Sequence, residues 1–360
     1  MIMKYERPVY LDPTVKTVTK RGAFGAADYQ VPVPNYPISI KENFRRAAKH
    51  DNPLWIPNSS CEVDMAMLSM VNGMPEADFT RRERHDFNDW FGVQWMFVPE
   101  AGGPMLKPNT QFMDDITEWE KKVKFPEMKD YDFAGMSAKW LARTSPEKVK
   151  QVNIGLGCTE RLVALMGGYT DAMLAMAMEP EACHDFLMAF AEWDCKVVDE
   201  LCKYIPLDFV TYHDDWGTER DTFFSEKYME DIVFEPTKLL FDHIHEKGVI
   251  LQHHCCGHIE RFLPYMVELG ADYTQLQARA NDVASYKAKY GTKLGFEAGI
   301  HPETMDREGV IKAVHEVVDT YGATGGVFTS AYLRDPELLW TAIMEMFCYS
   351  REFYDKEQGR

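Results

Sequence analysis

The sequence predicts an α/β fold, a (β/α)8 barrel with an N-terminal extension and additional N-terminal helices. Three observations carry that expectation. Beyond residue 150, short apolar runs alternate six times with long helical stretches, as parallel strands alternate with crossover helices. The helical stretches keep one apolar face: Phe186, Phe190, Trp193, Val197 and Leu201 recur at a spacing near 3.6. Unusual polar residues gather where one strand after another ends, the rim on which a barrel builds its sites.

Residues 1–37 are punctuated by proline ("VPVPNYPIS"). They predict an extended arm lying over the surface or over a partner subunit, the latter making a homodimer. The barrel is expected over 38–360. A helix should start near Ser39, and "PLWIP" (Pro53 to Pro57) reads as a short strand. From Met96 to Tyr131 proline and glycine are frequent, which predicts long loops.

The regular part then runs in pairs. "VNIGLG" leads into a helix near Thr159, "LDFVTYHDDW" into one near Ser225, and "VILQHHCCG" into "HIERFLPYMVELG". "ADYTQLQ", "LGFEAGI" and "GGVFTS" each precede a helical stretch. Gly248, Gly270, Gly291 and Gly322 stand where left-handed C-caps belong. "GLGCTE" lacks the glycine pattern of a dinucleotide site, which disfavours an open doubly wound sheet. The methionine-rich "TDAMLAMAMEP" reads as core.

A net charge of -18 argues against nucleic acid as partner. It also disfavours substrates with many carboxylates, unless the site itself concentrates arginines. No apolar run approaches the ~18 residues that span a bilayer, and the first residues make a poor signal peptide. Eight scattered cysteines do not form a small disulfide framework. A reducing cytoplasm is the expected setting.

The polar strand ends nominate the site. "FVTY" ends in His213, Asp214 and Asp215; "VILQ" in His253, His254, Cys255 and Cys256; "YTQLQ" carries Gln275 and Gln277. "LGFEAGI" carries Glu297 and leads to His301, and "VFTS" leads to Ser330 and Tyr332. Alternation along a strand puts His254 and Cys256 on one face and His253 and Cys255 on the other. An imidazole and a thiolate so spaced suit zinc with an open coordination position; the same residues also suit a hydrogen-bonded polar turn. Carboxylates beside His213 can share a proton or supply metal oxygens. Glu297 is a charge inside an apolar strand, where an idle carboxylate is costly.

The segment from "YHDDWG" through "HEKGVILQHHCCGHIERFLPYMVELGADYTQLQ", with "GIHPETM" and "GGVFTS", resembles the uroporphyrinogen decarboxylase superfamily over about residues 40 to 350. The resemblance implies a TIM barrel. Uroporphyrinogen decarboxylases carry an arginine-rich motif after the first strand, whereas Asn52 to Asp64 ("NPLWIPNSSCEVD") contains no arginine. The chain looks more like the cobamide-dependent methyltransferase branch, whose His-x-Cys zinc ligands match His254 and Cys256. Leu333 stands where that branch has a later cysteine, and Glu297 is the expected replacement.

Within that branch the chain is most similar to demethylases of methoxylated aromatics. These pass the methyl group to the corrinoid (cobalamin-type) cofactor of a separate protein. The resemblance implies His213, Asp214, His254, Glu297 and His301 around the reacting group, with Trp216, Gln277, Phe296 and Tyr332 against the substrate. A decarboxylase, or a non-catalytic barrel binding a corrinoid or an aromatic, are the alternatives.

Overall fold

The computed structural model describes residues 6, 15–20, 28–66 and 81–360. Its strands are β1 (Thr17–Lys20), β2 (Tyr29–Pro32), β3 (Val63–Ala66), β4 (His85–Asn88), β5 (Gln94–Val98), β6 (Gly103–Leu106), β7 (Val149–Ile154), β8 (Phe209–His213), β9 (Ile250–Cys255), β10 (Tyr273–Leu276), β11 (Gly295–Gly299) and β12 (Val327–Ser330). Seven of them form one parallel sheet in the order β12-β11-β10-β9-β8-β7-β3. Each parallel step is made through a helical crossover, so the sheet curls into the TIM-barrel-like architecture that the strand–helix alternation predicts.

An eighth strand at "PLWIP" does not form. Asn58 instead makes a single bridge to Thr329, and Thr329 N donates to Pro57 O at 2.8 Å. Ser60 Oγ accepts from Ala331 N at 2.9 Å. A turn and the short helix Ser59–Glu62 thus bring the two edge strands together. The proline at each end of this segment supplies no amide donor, so a full ladder has no means to form.

The strands open with apolar residues that close the bottom of the barrel. Val63, Val149, Phe209, Ile250, Tyr273 and Phe328 pack together with Phe44 of the helix Ile40–Ala48. The Phe44 ring meets Phe209 at 5.2 Å, Phe328 at 5.7 Å and Tyr273 at 6.0 Å. Ser39 caps this helix by accepting from Glu42 N, as its position before the periodic run predicts. Lys41 and Lys49 then pin it from outside, to Asp208 at 2.6 Å and Asp272 at 2.9 Å. Above this apolar layer the inward positions turn polar.

The predicted loops of 96–131 hold more structure than expected. β4, β5 and β6 make an antiparallel sheet of their own. It is tied to the barrel by Asp89, which accepts from Phe91 N, Val93 N, Trp95 Nε1 and Arg161. Arg161 also lies over the Phe91 ring at 4.2 Å, so burial of the ion pair is offset by hydrogen bonds and a cation–π contact. The strand signal was masked by the glycines and prolines of the tight turns.

Helices elsewhere begin where the sequence places them: Cys158–Met166, Glu226 onward after Ser225, Val283–Tyr290 and Pro336–Glu357. Gly248 and Gly270 take left-handed conformations, whereas Gly291 and Gly322 do not. The methionine-rich helix Tyr169–Met178 is only half core: Met176 is buried, but Leu174 and Met178 are exposed. β1 and β2 pair antiparallel, and Val31 is buried against a cluster that includes Leu339, Ile343 and Tyr354 of the C-terminal helix. Residues 1–5, 7–14 and 21–27 of the predicted arm lie outside the described residues.

Phe44→Ala empties the centre of the bottom layer. It should lower the unfolding free energy by about 3–5 kcal/mol, measured as a shift of the urea midpoint at unchanged slope.

Candidate functional site

Above the apolar bottom, successive strands present one hydrogen-bonded set of side chains. Register aligns Asn153 with Thr211, and His213 with His254; His254 in turn pairs with Gln275. Gln151 Nε2 donates to Thr211 Oγ1 at 2.6 Å, and Thr211 Oγ1 donates to Gln252 Oε1 at 2.8 Å. Gln252 Nε2 donates to Glu297 Oε2 at 3.0 Å, and Gln275 Nε2 donates to the same oxygen at 2.5 Å. These residues, with His213, Ser330, Met65 and Phe328, line a cavity of about 1290 Å³. Its outer wall comes from Tyr332 and Leu333 after β12, from Met136 and Trp140 of the helix Phe133–Leu141, and from Tyr29 of β2.

Glu297 is the charged centre of this floor. Burial pushes its carboxyl pKa up, and hydrogen bonds from Gln252, Ser330 and Gln275 hold it back. His213 also lines the cavity, with Nε2 buried and without a partner. Burial and the neighbouring His254 lower its pKa to about 3, so it is a neutral imidazole at physiological pH. Its ring lies 4.4 Å from that of His254.

Immediately behind His213, three ligand-type side chains converge: Asp215, His254 and Cys256, with their donor atoms all within 4.8 Å of one another. His254 Nε2 stands 3.4 Å from Cys256 Sγ and 3.9 Å from Asp215 Oδ1. Its Nδ1 lies 2.5 Å from Gln275 Oε1. Since Gln275 spends its amide hydrogens on Glu297, that oxygen is an acceptor, and His254 carries its proton on Nδ1. The Nε2 lone pair is therefore left facing Cys256 and Asp215, the arrangement that orients a metal-binding imidazole. Cys256 Sγ further accepts from Gln277 Nε2 at 3.0 Å, and Cys256 N donates to Asp215 Oδ1 at 2.7 Å.

The donor set fits zinc. Imidazole, thiolate and carboxylate are its ordinary ligands, and tetrahedral bonds of ~2.1 and ~2.3 Å put nitrogen and sulfur about 3.6 Å apart. Burial and Asp215 push the Cys256 thiol up to about 12, so it ionises only against a compensating cation. Glu160, also pushed up by burial and by Asp215, adds acidity to the same corner.

Not all of the residues expected at the site converge on it. Asp214 is fully buried beneath the helix Cys158–Met166. Its carboxylate accepts from Thr159 Oγ1 at 2.6 Å, Glu160 N at 3.0 Å and Trp216 Nε1 at 2.9 Å. Burial raises its pKa to about 6 while these donors oppose the rise. Trp216 is likewise buried, 4.3 Å from the His253 ring and away from the cavity lining. Phe296 neighbours Glu297 on β11 and so faces the opposite side, where it joins the core.

His301 is exposed beyond the end of β11 and lies outside the cavity lining. Gln277 acts on Cys256 rather than lining the cavity, and Tyr332 stands 82% exposed at its rim. Glu297 reaches His254 only through Gln275, and Asp215 occupies the third ligand position proposed for it.

Asp215 and Gln275 are the contributors whose roles sequence reasoning missed. Asp215 lies past the strand, where alternation no longer assigns a face. Its reach is set by the close approach of two glycines: Gly257, at φ +82°, packs so tightly on Gly217 that a Cβ there would collide with its backbone. His258 N donates to Thr218 O at 2.6 Å across the same contact.

Asp214→Asn sets an amide N–H against donors on both of its oxygens. It should destabilise the fold by roughly 1–3 kcal/mol in urea unfolding while leaving the geometry of the Asp215, His254 and Cys256 cluster unchanged in a crystal structure.

Comparison with known proteins agrees with this architecture. The uroporphyrinogen decarboxylase (URO-D) family profile matches residues 88–330. No curated protein matches the chain. Among solved structures, a methyltransferase from Methanosarcina mazei superposes with a TM-score of 0.62 at 11% identity, covering 88% of this chain and 99% of its own. An endo-β-1,4-mannanase catalytic domain from Bacillus sp. JAMB-750 superposes at 0.39 with 12% identity, covering 87% of this chain and 91% of its own. The family match spans more than half of the sequence and includes the floor, the histidines and the cysteine: the chain belongs to the uroporphyrinogen decarboxylase (URO-D) family.

Proposed function

We propose that the protein is a methyltransferase that cleaves aryl methyl ethers, passing the methyl group to Co(I) of a corrinoid held by a separate protein and releasing a phenol. The observation that carries this reading is the Asp215, His254 and Cys256 cluster set beside His213, which lines a cavity of about 1290 Å³ with a hydrogen-bonded polar floor. The structural likeness to the Methanosarcina mazei methyltransferase supports it.

Such a corrinoid would supply the nucleophile that takes the methyl group, and the electron pair of the broken carbon–oxygen bond would stay on the ether oxygen. A phenolate with a pKa near 10 leaves poorly at neutral pH, so the developing charge needs a hydrogen bond, a proton or a Lewis acid. Zinc on Asp215, His254 and Cys256 would supply the Lewis acid. His213, a neutral imidazole in the cavity lining whose Nε2 has no partner, would donate a hydrogen bond to the ether oxygen. Glu297, the carboxyl of the floor, would hold the amides of Gln252 and Gln275 in place around the substrate. Gln275 links the two parts, bonding Glu297 with one end and His254 with the other. Met136, Trp140 and Tyr332 offer an apolar slot for the ring.

The family's own description favours decarboxylation as a second reading. Against it, the floor residues Gln151, Asn153, Thr211, Gln252 and Gln275 include no cation to receive a reacting carboxylate. Release of carbon dioxide from uroporphyrinogen would decide for that alternative.

With reduced corrinoid protein, the chain should convert guaiacol or veratrole to the corresponding phenol as the methylated-corrinoid spectrum grows. No methylation with any methoxyarene would sink the reading. Metal analysis should find one zinc per chain, lost in His254→Ala and Cys256→Ser. Gln275→Leu should retain the site with roughly 10–100-fold weaker zinc affinity, measured by competition with a chromogenic chelator.

A further inference from the structure

Two glutamines at the end of β10 stand against the His-x-Cys pair at the end of β9. The register pairs Gln275 with His254 and Leu276 with Cys255, so one step further sets Gln277 beside Cys256. The period of two turns both glutamines toward the face that carries both ligands. They present opposite ends. Gln275 gives its carbonyl oxygen to the imidazole, 2.5 Å from Nδ1. Gln277 gives its amide N–H to the sulfur at 3.0 Å.

The orientation of the Gln277 amide is fixed independently of the sulfur. Its Oε1 accepts from Gly257 N at 3.2 Å, and a backbone N–H can only donate, so Nε2 is the end left for Cys256. The buried Asn281 braces the same turn: Nδ2 donates to Gly257 O at 2.8 Å and to Gln277 O at 3.0 Å, and Oδ1 accepts from Ile259 N at 3.2 Å. The Arg279 guanidinium on this loop is paired with Glu219 at 3.1 Å. Cys256 therefore meets a neutral amide held in place by the fold. Cys255 differs, since it accepts from Trp216 N and donates to Cys256 O as a satisfied buried thiol.

We propose that Gln277 is a positioning residue that holds Cys256 as a metal thiolate and blunts its sulfur as a nucleophile. This rests on reading the cluster as a metal site beside an aryl methyl ether. A thiolate is a nucleophile as well as a ligand, so in such a site it competes for the methyl group. Its attack on the methyl carbon would form a carbon–sulfur bond and leave the electron pair of the broken carbon–oxygen bond on the phenolate. The cysteine would then be an uncharged thioether, and the ligand set would have lost a negative charge. An amide N–H on the sulfur draws charge from it and favours the bound thiolate over that reaction.

The test uses the full chain, native and as Gln277→Leu and Gln277→Glu. The glutamate keeps the shape of the side chain and the acceptor for Gly257 N but removes the N–H that faces the sulfur, so a merely structural role survives it. With cobalt(II) as the probe, the thiolate-to-metal absorption in the near ultraviolet should move to longer wavelength in both variants. Zinc should bind them about ten-fold more weakly in competition with a chromogenic chelator. At saturating zinc, iodoacetamide should label Cys256 roughly five-fold faster than in the native chain, the effect of losing one ordinary hydrogen bond, read by peptide mass. Native absorption, zinc affinity and labelling rate in Gln277→Glu overturn the assignment and leave the metal reading standing. A native chain that binds neither ion overturns both.

Discussion

Glu297 Oε2 receives amide hydrogens from Gln252 and Gln275, and so joins β9, β10 and β11 through a single atom. The rest of the site depends on that acceptor. Because Gln275 must donate toward Glu297, its carbonyl oxygen is the end that meets His254, and the imidazole's tautomer follows. Because Gln252 also donates there, its oxygen is free to accept from Thr211, whose own oxygen accepts from Gln151. A buried network has to be satisfied throughout or it costs more than an apolar core. Here one carboxylate sets the direction of every bond in the row, and the His254 imidazole lies at the end of one branch.

The turn after β8 separates two neighbouring acids into different tasks. Asp214 bends back under a helix start, where backbone and side-chain donors consume it, and it fixes Trp216 against the outer face of β9. Asp215 points forward to Cys256. The same division holds on β9, where Cys255 accepts from Trp216 N while Cys256 faces Gln277 and His254. One residue of each pair builds the wall, and the other faces inward.

This division explains what could be read in the chain beforehand. The strand–helix alternation, the helix starts near Ser39, Thr159 and Ser225, and the facing of His254 and Cys256 all follow from local periodicity and capping, which sequence displays directly. Asp215 could not be chosen over Asp214, because the two lie past the strand and the donors that separate them, Thr159, Glu160 and Trp216 on one and Cys256 N on the other, are brought in by the fold. Phe296 is a different case: it adjoins Glu297 in one strand, and the period of two already excludes both from one face. The antiparallel sheet of β4 to β6 was hidden in turn-rich sequence, since its stability comes from Asp89 and the distant Arg161.

The Phe44 layer has a consequence for the order of events. Among the described residues it fills the lower end of the strands with apolar side chains, so a molecule seated on the polar floor approaches it from the strands' C-terminal ends. A second molecule arriving at the floor would then meet the first on that same approach.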